Sequence, residues 1–368
     1  MSIRGLALWT VLIPFVATSV PAHAEIEDVS SELKTILDEH DVPALAVAVI
    51  VDGEVVATGA TGIRKRGDDT PVTVDDKWHL GSCTKAFTTT LAALLVRDGL
   101  IEWDSTVGEV FARERVQIHP DFRSATLRQL LSNTGGCPQD LTKKLWGELW
   151  QNRGTPRVQR MQLVRGLLKF APEYTPGAGH VYSNAGFSVA GAMLETVANE
   201  PYETLVRQRI FEPLGMTAGG FRAPATKNRV DQPYGHAPDP VDPEPKGDNP
   251  RAIAPAGAIH CSITDWARFA QAHLGSDKSK LLTPEERTFL HTVVDEDENY
   301  ALGWYRARRR WANGDALNHN GSNTMWYSTI WLAPERNFAV VVTSNCGGDV
   351  AFQACDAVVA WSIGRYLE

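Results

Sequence analysis

Ala44-Leu45-Ala46-Val47-Ala48-Val49-Ile50-Val51-Asp52-Gly53-Glu54-Val55-Val56-Ala57-Thr58-Gly59-Ala60-Thr61-Gly62-Ile63 reads as two strands around a tight turn. Val, Ala and Ile fill both runs. An Asp-Gly step between two such runs is a strong hairpin signal, because both residue types tolerate the positive φ that a two-residue connection demands. The fold therefore starts with an antiparallel pair, preceded by a helix around Ser31–His40 and followed by the turn-rich Lys65–Val74.

At the other end of the chain three strand-like runs occur, Tyr300–Arg308, Thr324–Leu332 and Phe338–Ser344. Pro334-Glu335-Arg336-Asn337 joins the last two as a hairpin, and Val350–Tyr366 reads as a closing helix. Two N-terminal and three C-terminal strands meeting in one antiparallel sheet give an α/β (α+β) fold. The sheet-forming part then covers residues from about 25 to 105 and 255 to 368, and a mostly α-helical insert covers about 106 to 254. Helical spacing or helix formers mark Leu127–Leu131, Leu141–Trp150, Val158–Phe170, Phe187–Val197 and Tyr202–Phe211. The last part of the insert, Ala223–Pro255, is dense in proline and poor in large apolar residues, so a long surface loop is expected there. A helix returns at Thr264–Leu274 behind the capping pattern Ser262-Ile263-Thr264-Asp265.

Residues 1–24 have the form of a cleavable secretory signal: a basic Arg4, the apolar Leu6–Val16, and small residues at Ala22-His23-Ala24. Thr10, Pro14 and Thr18 interrupt the apolar run, which is shorter than the ~20 residues a spanning helix needs. A periplasmic or secreted protein beginning at Glu25, with no membrane span in the mature chain, is the expectation. The 43% hydrophobic and 22% charged content fits an ordinary globular protein, and a net charge of −8 argues against nucleic acid or an anionic membrane as partner. Among the 5 cysteines, Cys346 and Cys355, flanking Gly347-Gly348, are the best-placed disulfide pair. Cys83 reads as a small buried apolar residue. No zinc-type cysteine spacing is present, and His180, His236 and His260 form no ligand set, so neither metal nor other cofactor is expected.

Chemistry concentrates in Leu80-Gly81-Ser82-Cys83-Thr84-Lys85-Ala86-Phe87. Phe87, Leu91, Leu94 and Leu95 recur at helical spacing up to the stop at Gly99, so Ser82 opens a buried helix. Residues three apart share a helix face, which puts the Lys85 amine within reach of the Ser82 hydroxyl at a helix N-terminus. The pair alone is weak evidence, since Ser31-Glu32-Leu33-Lys34 has the same spacing and reads as a capped surface helix. A working nucleophile also needs a proton shuttle and donors for the oxyanion. Tyr182 and Asn184, two apart after a glycine-rich turn, point the same way and supply one set; His319-Asn320-Gly321-Ser322-Asn323, at the entrance to the Thr324–Leu332 strand, supplies another. Singly, Tyr182 and Asn184 read as a turn tyrosine and a cap, and His319 as a strand-end histidine. Trp304, Trp326, Tyr327 and Trp331 read as sheet packing, with the lining of a substrate pocket as the alternative.

Ser82-Cys83-Thr84-Lys85, Tyr182-Ser183-Asn184 and His319-Asn320-Gly321 together resemble the three motifs of the serine β-lactamase and penicillin-binding protein superfamily. The branch is the class C type (peptidase family S12-like), which includes D-Ala-D-Ala carboxypeptidases and esterases. Leu130-Leu131-Ser132-Asn133-Thr134-Gly135-Gly136 and Pro255-Ala256-Gly257-Ala258 look like further stretches of that branch. The resemblance implies Ser82 as the nucleophile of an acyl-enzyme, Lys85 as its base, and Tyr182 as the proton relay. It implies Asn184, His319 and Gly321 as substrate-positioning residues, and the N–H groups of Ser82 and Ser322 as oxyanion donors. The substrate is then a small molecule or peptide with an electrophilic carbonyl: an ester, an amide or a β-lactam. His319 stands where class C β-lactamases carry lysine, and a histidine is mostly neutral at pH 7, so strong β-lactamase activity is less expected than hydrolysis itself. A D-Ala-D-Ala carboxypeptidase or a penicillin-binding sensor with slow turnover is the alternative.

Overall fold

The Ala44–Val51 and Glu54–Lys65 strands pair antiparallel across Asp52-Gly53, both at positive φ. The computed structural model describes residues 25–294 and 297–368, and the expected signal sequence lies outside them. The hairpin supplies two strands of an eight-stranded sheet. From edge to edge the order is Glu27–Asp28, Glu54–Lys65, Ala44–Val51, Phe338–Ser344, Tyr327–Ala333, Gly314–Ser322 and Tyr305–Arg309, with Asp68–Pro71 attached to Glu54–Lys65. Only the two-residue Glu27–Asp28 strand pairs parallel; every other pairing in this sheet is antiparallel.

The apolar runs are continuous because the central strands are covered on both faces. In Ala44–Val51 the period-2 alternation of a strand sends Ala44, Ala46, Ala48 and Ile50 into one hydrophobic cluster and Leu45, Val47 and Val49 into the other. Phe338–Ser344 repeats this, with Ala339 and Val341 on the first face and Phe338, Val340 and Val342 on the second. Ser30–Glu39 and Asp349–Tyr366 cover the second face, through Leu33, Ala351, Ala354, Cys355 and Val358. The first face continues without a break into Thr84–Arg97, Ile263–Leu274 and the helices Leu127–Leu131, Pro156–Leu168 and Asn184–Ala198.

Thr84–Arg97 is the centre of this larger cluster, with residues 84–95 all buried. Its threonines are tied to neighbours, since a buried unpaired hydroxyl would cost roughly 1–3 kcal/mol. Thr88 Oγ1 donates to Pro255 O (2.6 Å), Thr89 Oγ1 to Leu302 O (3.0 Å), and Thr84 Oγ1 accepts from Ile259 N (3.0 Å). The helix therefore has a fixed rotation about its axis.

Three expectations need correction. His319-Asn320-Gly321 is not the entrance to the next strand but part of a strand of its own, Gly314–Ser322, and the following strand begins at Tyr327. Asp315, Asn318 and Asn320 disguise it, because its strand state comes from partners on both sides rather than from its own composition. Ala223–Pro255 is not simply a surface loop. Gly235–His236 pairs with Pro240–Val241, Arg251–Ile253 forms a 3-10 turn, and Tyr234, His236 and Asp248 are buried. Proline bars helix interiors and central ladders, but it leaves single side chains free to be buried against polar partners. Cys346 and Cys355 are both free thiols. The closing helix carries Cys355 into the core, while the Cys346 thiol turns to the carbonyl of Gly347 (3.4 Å). Trp326 and Trp304 are fully buried packing residues, and a helix over Pro284–His291 adds to the elements read from sequence.

Candidate active site

The short strand Lys77–His79 delivers the chain to Gly81, whose φ of +50° lets the backbone turn sharply into the 3-10 segment Gly81–Cys83 and then into Thr84–Arg97. Ser82 lies on this turn, partly exposed. One turn further on, Lys85 is completely buried, and its Nζ is 3.1 Å from Ser82 Oγ. Nζ also donates to Asn184 Oδ1 (2.7 Å) and to the carbonyl of Ala256 (2.8 Å). Burial pulls the Lys85 amine down from 10.5 to about 7. A neutral amine has two N–H bonds and one lone pair. With both N–H bonds directed to Asn184 and Ala256, the lone pair is left for the Ser82 hydroxyl proton.

Asn184 starts the Asn184–Ala198 helix, which Ser183 caps by accepting from Gly186 N (3.1 Å). The segment before it is held by Asn133, itself at a φ of +63°. Asn133 Oδ1 accepts from Ser183 N (3.1 Å), and its carbonyl accepts from Val181 N (2.9 Å) and Tyr174 OH (2.7 Å). Tyr182 and Asn184 thus reach the same amine: the Tyr182 ring centroid is 4.6 Å from Lys85 Nζ, and the Phe187 ring lies beyond at 5.3 Å. Burial pushes the Tyr182 phenol upward against the opposing hydrogen bond to Ser82, so the phenol keeps its proton at neutral pH.

His319 is 2% exposed, and its Nδ1–H donates to the carbonyl of Asn320 (2.7 Å). Its Nε2 has no partner, and its ring stands 6.2 Å from that of Tyr182. Burial, reinforced by the nearby Lys85, lowers it to about 3, so the imidazole is neutral. Two residues on, Gly321 allows a contact that any side chain would forbid: a Cβ there would sit 1.9 Å from Leu80 O. Reciprocally, a Cβ on Gly81 would sit 2.3 Å from Ser322 N. Ser328 Oγ locks the junction by donating to Leu80 O (2.7 Å). The backbones of Leu80-Gly81, just before Ser82, and of Gly321-Ser322 therefore meet at one place.

Asn184 also borders a cavity of about 410 Å³ lined by Asp140, Leu141, Lys143, Trp146, Ala185 and Ile253. Its walls come from the Lys143–Leu149 helix and the turn at Arg251–Ile253, while the Trp326 ring lies in the core, as its packing reading has it. All seven residues expected from sequence thus lie around one centre or at its junction. The Ala256 carbonyl and the supporting side chain of Asn133 were not assigned roles from sequence; only their membership of stretches typical of the branch pointed to them.

A penicillin-binding protein 4 of Amycolatopsis lactamdurans is 27% identical over 343 residues, covering 90% of this chain and 87% of that protein. An unguisins hydrolase of Aspergillus campestris is also 27% identical, over 342 residues, but the chain spans only 61% of its length. The octameric penicillin-binding protein homologue of Pyrococcus abyssi shares the fold, with a TM-score of 0.73 at 23% identity over 91% of this chain and 76% of that one. Residues 29–363 match the Beta-lactamase family, and the chain belongs to it.

Proposed function

We propose that this β-lactamase-family member is a serine hydrolase that forms an acyl-enzyme on Ser82 and hydrolyses an ester or amide carbonyl. The observation that carries the reading is the Lys85 amine, buried, lowered to about 7, and tied to two acceptors so that its free lone pair faces Ser82 Oγ. Lys85 takes the Ser82 proton as Oγ bonds to the carbonyl carbon, and the carbonyl oxygen gathers charge at the Ser82 and Ser322 N–H groups. When the bond to the leaving group breaks, Tyr182 gives it a proton and takes one in turn from the Lys85 ammonium, which stands 4.6 Å from its ring centroid. Water then repeats the sequence on the ester of Ser82. Ser82→Ala is expected to lower turnover of a p-nitrophenyl ester by at least ~10³-fold and to abolish covalent labelling by a fluorophosphonate. Labelling that persists in Ser82→Ala would refute the reading.

The neutral His319 offers no fixed positive charge to a substrate carboxylate, which favours esters and neutral amides over β-lactams. A second reading, penicillin binding with slow release, draws on Tyr182: a phenol held in its protonated form is a poor activator of water. A panel of a p-nitrophenyl ester, a chromogenic cephalosporin and a D-Ala-D-Ala peptide separates the two. Steady turnover of the ester supports the first, and a stoichiometric burst without turnover on every substrate supports the second. Export before maturation is part of the proposal, and an N-terminus other than Glu25 on the secreted protein would contradict the expected cleavage.

A further inference from the structure

Asp248 lies in the proline-rich segment and is completely buried, as is His79 on the strand leading to Ser82. Asp248 Oδ2 is 3.0 Å from His79 Nε2, and on the other side of the ring Gly81 N donates to His79 Nδ1 (3.1 Å). A backbone N–H can only donate, so the lone pair is on Nδ1 and the proton on Nε2, directed at the carboxylate. Asp248 Oδ1 accepts from Asn249 N (2.7 Å) and from Asn323 Nδ2 (3.2 Å), and Asn323 Oδ1 in turn accepts from Met325 N (3.2 Å). One carboxylate therefore has two arms. The first ends on the residue before Ser82 and the second on the residue after Ser322. We infer that Asp248, acting through His79 and Asn323, is a positioning residue that fixes the spacing between the Ser82 and Ser322 N–H groups. The inference rests on the proposal that those two groups receive the carbonyl oxygen. Both turns need such a hold, because Gly81 and Thr324 have φ values of +50° and +76°.

The arms make opposite demands that only a carboxylate meets together. In Asp248→Asn, an amide oxygen facing Asn249 and Asn323 puts an NH₂ against His79 and forces its proton onto Nδ1, against the Gly81 N–H. Flipping the amide restores the His79 contact but sets NH₂ against two donors. Either way one arm fails. His79→Gln, in contrast, offers an acceptor and a donor near the two ring-nitrogen positions. The test measures p-nitrophenyl ester hydrolysis and the rate of fluorophosphonate labelling in Asp248→Asn, His79→Gln and Ser82→Ala, with folding followed by circular dichroism. Asp248→Asn is expected to lower kcat and the labelling rate roughly 10–100-fold, somewhat less than outright loss of an oxyanion donor, with KM within about 3-fold. His79→Gln is expected to stay within about 3-fold of the parent. A folded Asp248→Asn with parental kcat, or a His79→Gln as impaired as Asp248→Asn, overturns the inference. Should Asp248→Asn not fold, His79→Met replaces it: a loss in Met that Gln does not share supports the inference, and equal rates overturn it. Labelling that is weak in the parent and unchanged in Ser82→Ala removes the hydrolase reading itself, a result distinct from either.

Discussion

At the scale of single residues, the Lys85 amine governs how the protein responds to pH. The base acts only when unprotonated, so kcat/KM for an ester is expected to rise with pH and level off above about 7. A pH–rate profile without an acid limb between about 6 and 8 would remove Lys85 from that role. The same residue affects stability with a definite sign. Between about 7 and 10.5 the unfolded chain holds a proton that folded Lys85 lacks, so its contribution to stability increases with pH across that window. Lys85→Met is therefore expected to gain most over the parent at and below pH 7 and least near 10.5, while losing activity, as urea titrations at several pH values would show. Ser82, Lys85, Tyr182 and Asn184 were legible because three short motifs carry them and because spacings of two or three residues fix which way side chains point. His79 and Asp248 were not, since across a sequence separation of 169 no pattern predicts their contact. A backbone acceptor such as Ala256 O has no signature in its own side chain, and only the Pro255-Ala256-Gly257-Ala258 stretch around it pointed there.

At the scale of elements, the contact between Gly314–Ser322 and the Gly81–Cys83 turn controls the site. Gly321→Ala would press a methyl group into Leu80 O and drive the two segments apart. The expected outcome is a stability loss of ~1–3 kcal/mol by urea denaturation and a drop in acylation rate of about 100-fold. Parental acylation in Gly321→Ala would show that the junction tolerates separation. The elements readable from sequence were those whose own residues decide their state. Ala44–Val51 and Phe338–Ser344 are apolar on both faces, and Leu127–Leu131 was placed to the residue. Gly314–Ser322 was missed because neighbouring strands supply its reason for being extended. Within Tyr300–Arg308 only Tyr305 onward is strand, since Gly303 turns at a φ of +81° where a Cβ would touch Ala86.

At the scale of the whole molecule, Arg160 ties the helices that carry the site to one another. It is fully buried, donates to Glu195 Oε1 (2.7 Å) and Oε2 (3.0 Å) and to Glu203 Oε2 (2.9 Å), and reaches the carbonyl of Arg251 (3.2 Å). Pro156–Leu168, Asn184–Ala198, Tyr202–Val206 and the turn before Ala256 thereby share one guanidinium. Arg160→Met leaves Glu195 buried without its cation and is expected to cost about 3–5 kcal/mol of unfolding free energy, which denaturant titration would measure. A loss under about 1 kcal/mol would show that the ion cluster is not what joins these helices. The free, buried thiols give the molecule a timer of its own opening. Burial pushes Cys83 and Cys137 up to about 12 and raises Cys261, Cys346 and Cys355 as well, so a chromogenic disulfide reagent meets scarcely any thiolate while the chain is folded. Colour released at equilibrium, without denaturant, then counts excursions from the native state. The order in which the sulfurs react ranks the regions that open, with Cys346 expected ahead of Cys83, which lies under the nucleophile.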